Sequence, residues 1–104
     1  MILDARLLLT YFDRSDPGRW AAAGRIEFTG SFEQLVVSPF VIAELEGMVL
    51  EQFGVEGWLA VLDELAGGAW TIAAADLAGM RSRIAAGETL AAASVAVLAE
   101  GEAS

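Results

Sequence analysis

The sequence predicts an α/β fold, a thin parallel sheet of about three strands with helices on both faces. Two observations carry this. Short apolar runs occur at residues 2–3, at 34–38 around Leu35, Val36 and Val37, and at 69–74 around Trp70 and Ile72. Between and after them lie stretches with helical periodicity, opened by Asp, Ser or Thr and closed by Gly. Strands alternating with helical segments imply parallel pairing through right-handed crossovers.

The opening stretch, MILDARLLLTYFDRSDP over residues 1–17, reads as a buried strand at Ile2 and Leu3 followed by a helix from Ala5 to Phe12. Asp4 then stands at the carboxyl end of the strand, the edge where open α/β sheets place their ligand sites. Two readings of Asp4 are open at this point. Its carboxylate can cap the helix by accepting from first-turn N–H groups, or it can belong to a site.

Asp16 and Pro17 form a capping side chain followed by proline, which opens a short helix through Trp20 and Ala23. Residues 24–31 are expected to break it. Asp13, Arg14 and Asp16 read as a solvated loop. The β-branched run within 34–38 fits a strand buried on both faces, and Ser38 with Pro39 repeats the cap-then-proline pattern.

The helix opened by Ser38 runs from Phe40 to Phe53 with a stripe through Val41, Leu45 and Met48, and ends at Gly54. Glu44 borders that stripe, three residues after Val41 and four before Met48. A carboxylate there reaches solvent at the stripe's edge, pairs with an arginine, or holds a metal.

A further helix spans residues 55–65, with Trp58, Leu59, Leu62 and Leu65 expected on one face and closure at Gly67 and Gly68. Met48, Trp58 and Leu62 read as core or dimer contacts. Asp76 caps a helix over 77–86, with Met80 and Ile84 inward. Thr89 caps the last helix, which runs through Leu90, Val95 and Leu98 to Glu100, leaving residues 101–104 frayed.

The composition narrows the chemistry. The 104-residue chain is sized for one domain. A hydrophobic content of 56% and a mean hydropathy of +0.53 point to a self-association face. Six arginines, no lysines and a net charge of −9 argue against a protein that coats nucleic-acid duplexes. They leave room for an acidic metal site acting on RNA, because a bound cation inverts the local charge. Absence of Cys and His removes disulfides, thiolate zinc sites and histidine-based triads. No secretory signal or membrane span is read in the sequence, so a cytoplasmic protein is expected.

Three stretches in this order, MILDARLLLTYFDRSDP, LVVSPFVIAELEGMVLEQFG and AASVAVLAE, resemble a PIN domain of the VapC toxin type. The resemblance covers nearly the whole chain and implies one PIN-like domain over residues 1–104. It further implies a metal-dependent endoribonuclease of a toxin–antitoxin system, with acids at the sheet's carboxyl edge binding Mg²⁺ or Mn²⁺. Asp4 falls on the first family acid and Glu44 on the second, which makes them the expected catalytic and metal-binding residues. Hard cations take such oxygen ligands.

The sequence also departs from that pattern. The family's third acid falls on Ala92, its fourth lies beyond Ser104, and the polar residue two after the first acid is Arg6. Glu88, four before Ala92, is a remote substitute. Impaired catalysis is expected, and the alternative is an inactive PIN module acting in dimerisation or antitoxin binding. The family's last two strands are expected to be missing, which would leave the first strand as an exposed edge and favour a homodimer. A cognate antitoxin and RNA are the other expected partners, and Arg6 is a cation that could neutralise the acids from within.

Overall fold

The computed structural model describes residues 1–68 and 70–103. Eight elements follow in the order β1 (Ile2–Leu3), α1 (Ala5–Phe12), α2 (Arg19–Gly30), β2 (Leu35–Val37), α3 (Pro39–Gly67), β3 (Trp70–Ile72), α4 (Leu77–Ala85) and α5 (Leu90–Ala103). The strands form one parallel sheet in the order β1-β2-β3. Ile2 pairs with Val36 and Leu3 with Val37 on one side, and Val36 pairs with Thr71 on the other.

Successive strand residues point to opposite faces. All three residues of β2 are buried, so helices cover the sheet on both sides. The predicted α/β architecture with its thin parallel sheet is therefore the observed one. The main core gathers Leu3, Leu8, Ile26, Val37, Val41, Leu45 and Val49, drawn from both outer layers and the sheet between them. Ala75, Met80 and Ala93 form a smaller cluster between α4 and α5, and Phe40 packs against both. Met1 continues the edge of β1, its carbonyl accepting from Val36 N (2.8 Å) and its ammonium donating to Gln34 O (2.7 Å).

Within α3, Gly54 adopts φ 71° and ψ −170°, so the helix divides into two helical stretches at the predicted stop. That conformation is open to glycine without a Cβ penalty. Before the break, Val41, Leu45 and Val49 are buried and Met48 is half-buried. After it, the buried face is Trp58, Val61 and Leu65, while Leu59 and Leu62 are exposed. Trp58 and Leu65 are thus buried as expected, while Val61 takes the place of Leu59 and Leu62 and rotates the buried face to the spacing 58, 61, 65.

Four other expectations are corrected. The helix after Pro17 continues to Gly30, since Ala22, Ala23 and Ile26 bury its inner side and outweigh the roughly 1 kcal/mol cost of Gly24. Asp16 accepts from Gly18 N (2.7 Å) in a turn, and Gly18 occupies the cap position. Ile84 is exposed beside a fully buried Met80, and α5 extends past Glu100 to Ala103. Ala69, the first residue of the third predicted strand, and Ser104 lie outside the described residues.

Candidate metal and RNA site

Asp4 occupies the step from β1 into α1. Its Oδ1 accepts from Leu7 N at 2.8 Å and its backbone carbonyl accepts from Leu8 N at 3.2 Å, so it is a true N-cap. The side chain is nevertheless exposed, and capping engages one carboxylate oxygen. The capping and site readings are compatible, because Oδ2 is left over.

Glu44 projects from the first half of α3 and is also exposed. Val41 and Leu45 on either side of it are fully buried, which fixes the rotation of the helix and directs Glu44 to the margin of the core. Asp4 and Glu44 line one depression of about 330 Å³, together with Arg6, Thr89, Ala92 and Val95. The structure therefore brings together two acids 40 residues apart in sequence, at the carboxyl end of β1.

The opposite wall of the depression is the start of α5. Thr89 Oγ1 accepts from Ala92 N at 3.1 Å and caps that helix. Ala92 is exposed to the same space as the acids, and its methyl group brings no ligand atom. Glu88 is turned away, because Gly87 at φ 104° sends the chain back towards α4, where Glu88 pairs with Arg83 at 3.5 Å. Arg83 also bonds Glu100. Glu88 does not line the depression and takes no part in it.

In the sequence Ser38 reads only as a cap and Ser94 only as part of a motif. Both are fully buried, and they join α3 to α5. Phe40 N donates to Ser38 Oγ (3.0 Å), Ser38 donates to Ser94 Oγ (2.8 Å), and Ser94 donates to Ala91 O (2.7 Å). Every hydroxyl in this relay has a partner, as burial requires. The relay fixes where Thr89 and Ala92 stand relative to Glu44. A polar residue inside an otherwise apolar run, such as Ser94 in AAASVAV, is the sequence signal for it.

Among the described residues, no group of three or more Asp, Glu, His or Cys is placed to hold a metal ion. The two exposed carboxylates suit a hard cation that keeps several waters, as Mg²⁺ does when it is held through one or two acids. Arg6 is exposed, and no ion pair joins it to an acid among the described residues.

No family model matches the sequence. Ribonuclease VapC26 of Mycobacterium tuberculosis is 49% identical over 73 residues, which is 70% of this chain and 53% of VapC26. The chain belongs to the VapC-type PIN-domain proteins. It spans about half the length of that curated relative. The crystal structure of M. tuberculosis VapC20, a Sarcin-Ricin loop cleaving toxin, has the same fold, with a TM-score of 0.78 over 98% of this chain and 82% of that one. At 8% identity this second likeness speaks to the fold alone. In a VapC-type PIN domain the depression holding Asp4 and Glu44 is the natural candidate site, and Ala92 stands within it. Among the described residues no helix is long and apolar enough to cross a membrane.

Proposed function

We propose that the chain acts as a VapC-type toxin, a Mg²⁺- or Mn²⁺-dependent endoribonuclease working from one PIN-like domain over residues 1–104, with Asp4 and Glu44 as its catalytic and metal-binding acids. The observation that carries this reading is the convergence of those two carboxylates on one depression at the carboxyl end of β1. A divalent ion bound there would supply water activation and charge stabilisation at the scissile phosphate. The protein's own part is positional. The cap bond to Leu7 N orients Asp4, the buried neighbours Val41 and Leu45 orient Glu44, and the Ser38–Ser94 relay holds the opposite wall.

With alanine at position 92 the donor set is short of one acid, so cleavage by this chain is slow. The same observation favours a second reading, an inactive PIN module kept for dimerisation or for binding a cognate antitoxin. Trp20, Phe28 and Phe32, which are 81%, 70% and 78% exposed, would supply an apolar contact surface. The cytoplasm, where RNA and an antitoxin are both at hand, is the compartment this function requires.

Calorimetry with Mn²⁺ on the purified protein, with Asp4→Asn beside it, separates the two. Micromolar binding that disappears in the variant supports the nuclease reading and justifies RNA cleavage assays. Binding that is absent, or indifferent to Asp4, supports the second.

A further inference from the structure

The charge balance makes the location of each arginine informative. In a chain of net charge −9 with no lysine, contact with an RNA backbone falls to six guanidinium groups. Arg83 is engaged by Glu88 and Glu100. Arg19 donates to Tyr11 O at 3.1 Å and lies 5.9 Å from the ring centres of both Tyr11 and Trp20. Arg14 borders a separate cavity of about 540 Å³ around Tyr11 and Phe53.

Arg6 and Arg25 are placed differently. Arg6 lies in the first turn of α1 and Arg25 in the second half of α2, yet both line one depression of about 380 Å³. Both are exposed, and no ion pair joins either to an acid among the described residues. The walls between them are Gly18, Ala21 and Ala22, which leave the space clear, and Thr10 adds a hydroxyl. Asp4 and Arg6 line this depression and also the one that holds Glu44. The two hollows therefore meet at Asp4 and Arg6, with Glu44 added in one and the second guanidinium, Arg25, in the other.

Guanidinium groups offer several donors in a fixed fork that matches phosphate oxygens. We propose that Arg6 and Arg25 bind a backbone phosphate of single-stranded RNA next to the phosphate presented to Asp4 and Glu44. This subsite rests on the reading of Asp4 and Glu44 as a ribonuclease site. It assigns Arg6 a substrate-binding role, and it makes recognition at this step independent of base sequence, since phosphates carry none. The arginines also offset the repulsion that the acids exert on an incoming polyanion.

The test is fluorescence anisotropy of a short unstructured oligoribonucleotide titrated with the protein over a range of salt, in chelator so that no metal contributes. Arg6→Gln with Arg25→Gln in one chain is expected to flatten the slope of log K against log salt by about 0.7, the value for one single-strand phosphate charge that is no longer neutralised. At low salt the affinity should fall roughly tenfold or more. Arg6→Lys with Arg25→Lys keeps both charges and should restore most of the slope, which separates the removal of charge from misfolding. Arg81→Gln, on α4, should change nothing. An unchanged slope in the double Gln variant, an equal loss in Arg81→Gln, or no RNA binding by the parent at 20 mM salt (a value on the order of the low-salt limit where phosphate contacts are strongest) overturns the subsite. The nuclease reading is tested separately by Asp4-dependent Mn²⁺ binding. Its failure beside arginine-dependent RNA binding would leave the subsite standing without a nuclease.

Discussion

In the proposed ribonuclease site, the chemistry turns on Ala92. It is exposed, it faces the depression shared by Asp4 and Glu44, and it lies in the first turn of α5, whose N-terminus favours negative charge. Ala92→Asp therefore needs no repacking and adds a hard oxygen donor where one is lacking. It is expected to strengthen Mn²⁺ binding roughly tenfold, about 1.4 kcal/mol, and to raise RNA cleavage in parallel. Calorimetry on the variant checks the first part, and an affinity equal to that of the parent would remove Ala92 from the account. Tyr11 offers a second test at this scale, because it is the chain's one tyrosine. Burial, and then the negative charges of Glu64 and Glu27, push its phenol above the ordinary value of 10.0, with Arg19 opposing. A group whose folded pKa is raised holds its proton longer in the native state. The unfolded chain therefore ionises first, and stability falls as pH climbs past about 10 through the folded value. Absorbance at 295 nm should show a midpoint above 10 that drops to the ordinary value in urea; identical midpoints would mean that Tyr11 is solvated as in the unfolded chain.

At the scale of elements, the join between α3 and α5 decides whether the site has two walls. Removing Ser94 leaves the buried Ser38 hydroxyl without its acceptor, at a cost of about 1–3 kcal/mol. Ser38→Ala loses the same bond and also the cap on Phe40 N, adding about 1 kcal/mol. Because the two side chains share one interaction, Ser38→Ala with Ser94→Ala should cost less than the sum of the single changes. Urea unfolding of the four proteins measures this, and strict additivity would mean that the relay carries no coupling. Strand and helix starts are legible in the sequence because Asp4, Ser38, Asp76 and Thr89 are local capping signals, each of which accepts a first-turn N–H in the structure. The stop at Gly54 is legible for the same reason. The extent of α2, the face of α3 after Gly54 and the direction of Glu88 are not, since each is set by packing between distant elements, as is the serine relay. The candidate site is half legible. Asp4 and Glu44 follow from position and resemblance, whereas the second hollow with Arg6 and Arg25 exists only once α1 and α2 are packed together.

For the whole molecule, two kinds of association should respond to salt in opposite directions. RNA held by arginines releases counterions, so its affinity falls as salt rises. Self-association joins two chains of net charge −9, whose mutual repulsion is screened as salt rises. Two features favour such pairing. β1 is an edge of the sheet among the described residues, and α2 with the turn after it exposes Trp20, Phe28 and Phe32, the last two in ring contact at 5.2 Å. If the aromatics form the contact, burying them stabilises the dimer through apolar area, and screening removes the opposing charge term. Sedimentation equilibrium at 50 mM and 500 mM salt, conditions on the order of threefold apart in Debye length, should then show tighter dimerisation at the higher concentration. Phe28→Ser with Phe32→Ser should shift the protein towards monomer at both. Both phenylalanines are exposed in the single chain, so the substitutions open no cavity and the melting temperature of the monomer should be preserved. A dimer that weakens with salt would be held by charge, and one indifferent to the two serines would pair through the β1 edge.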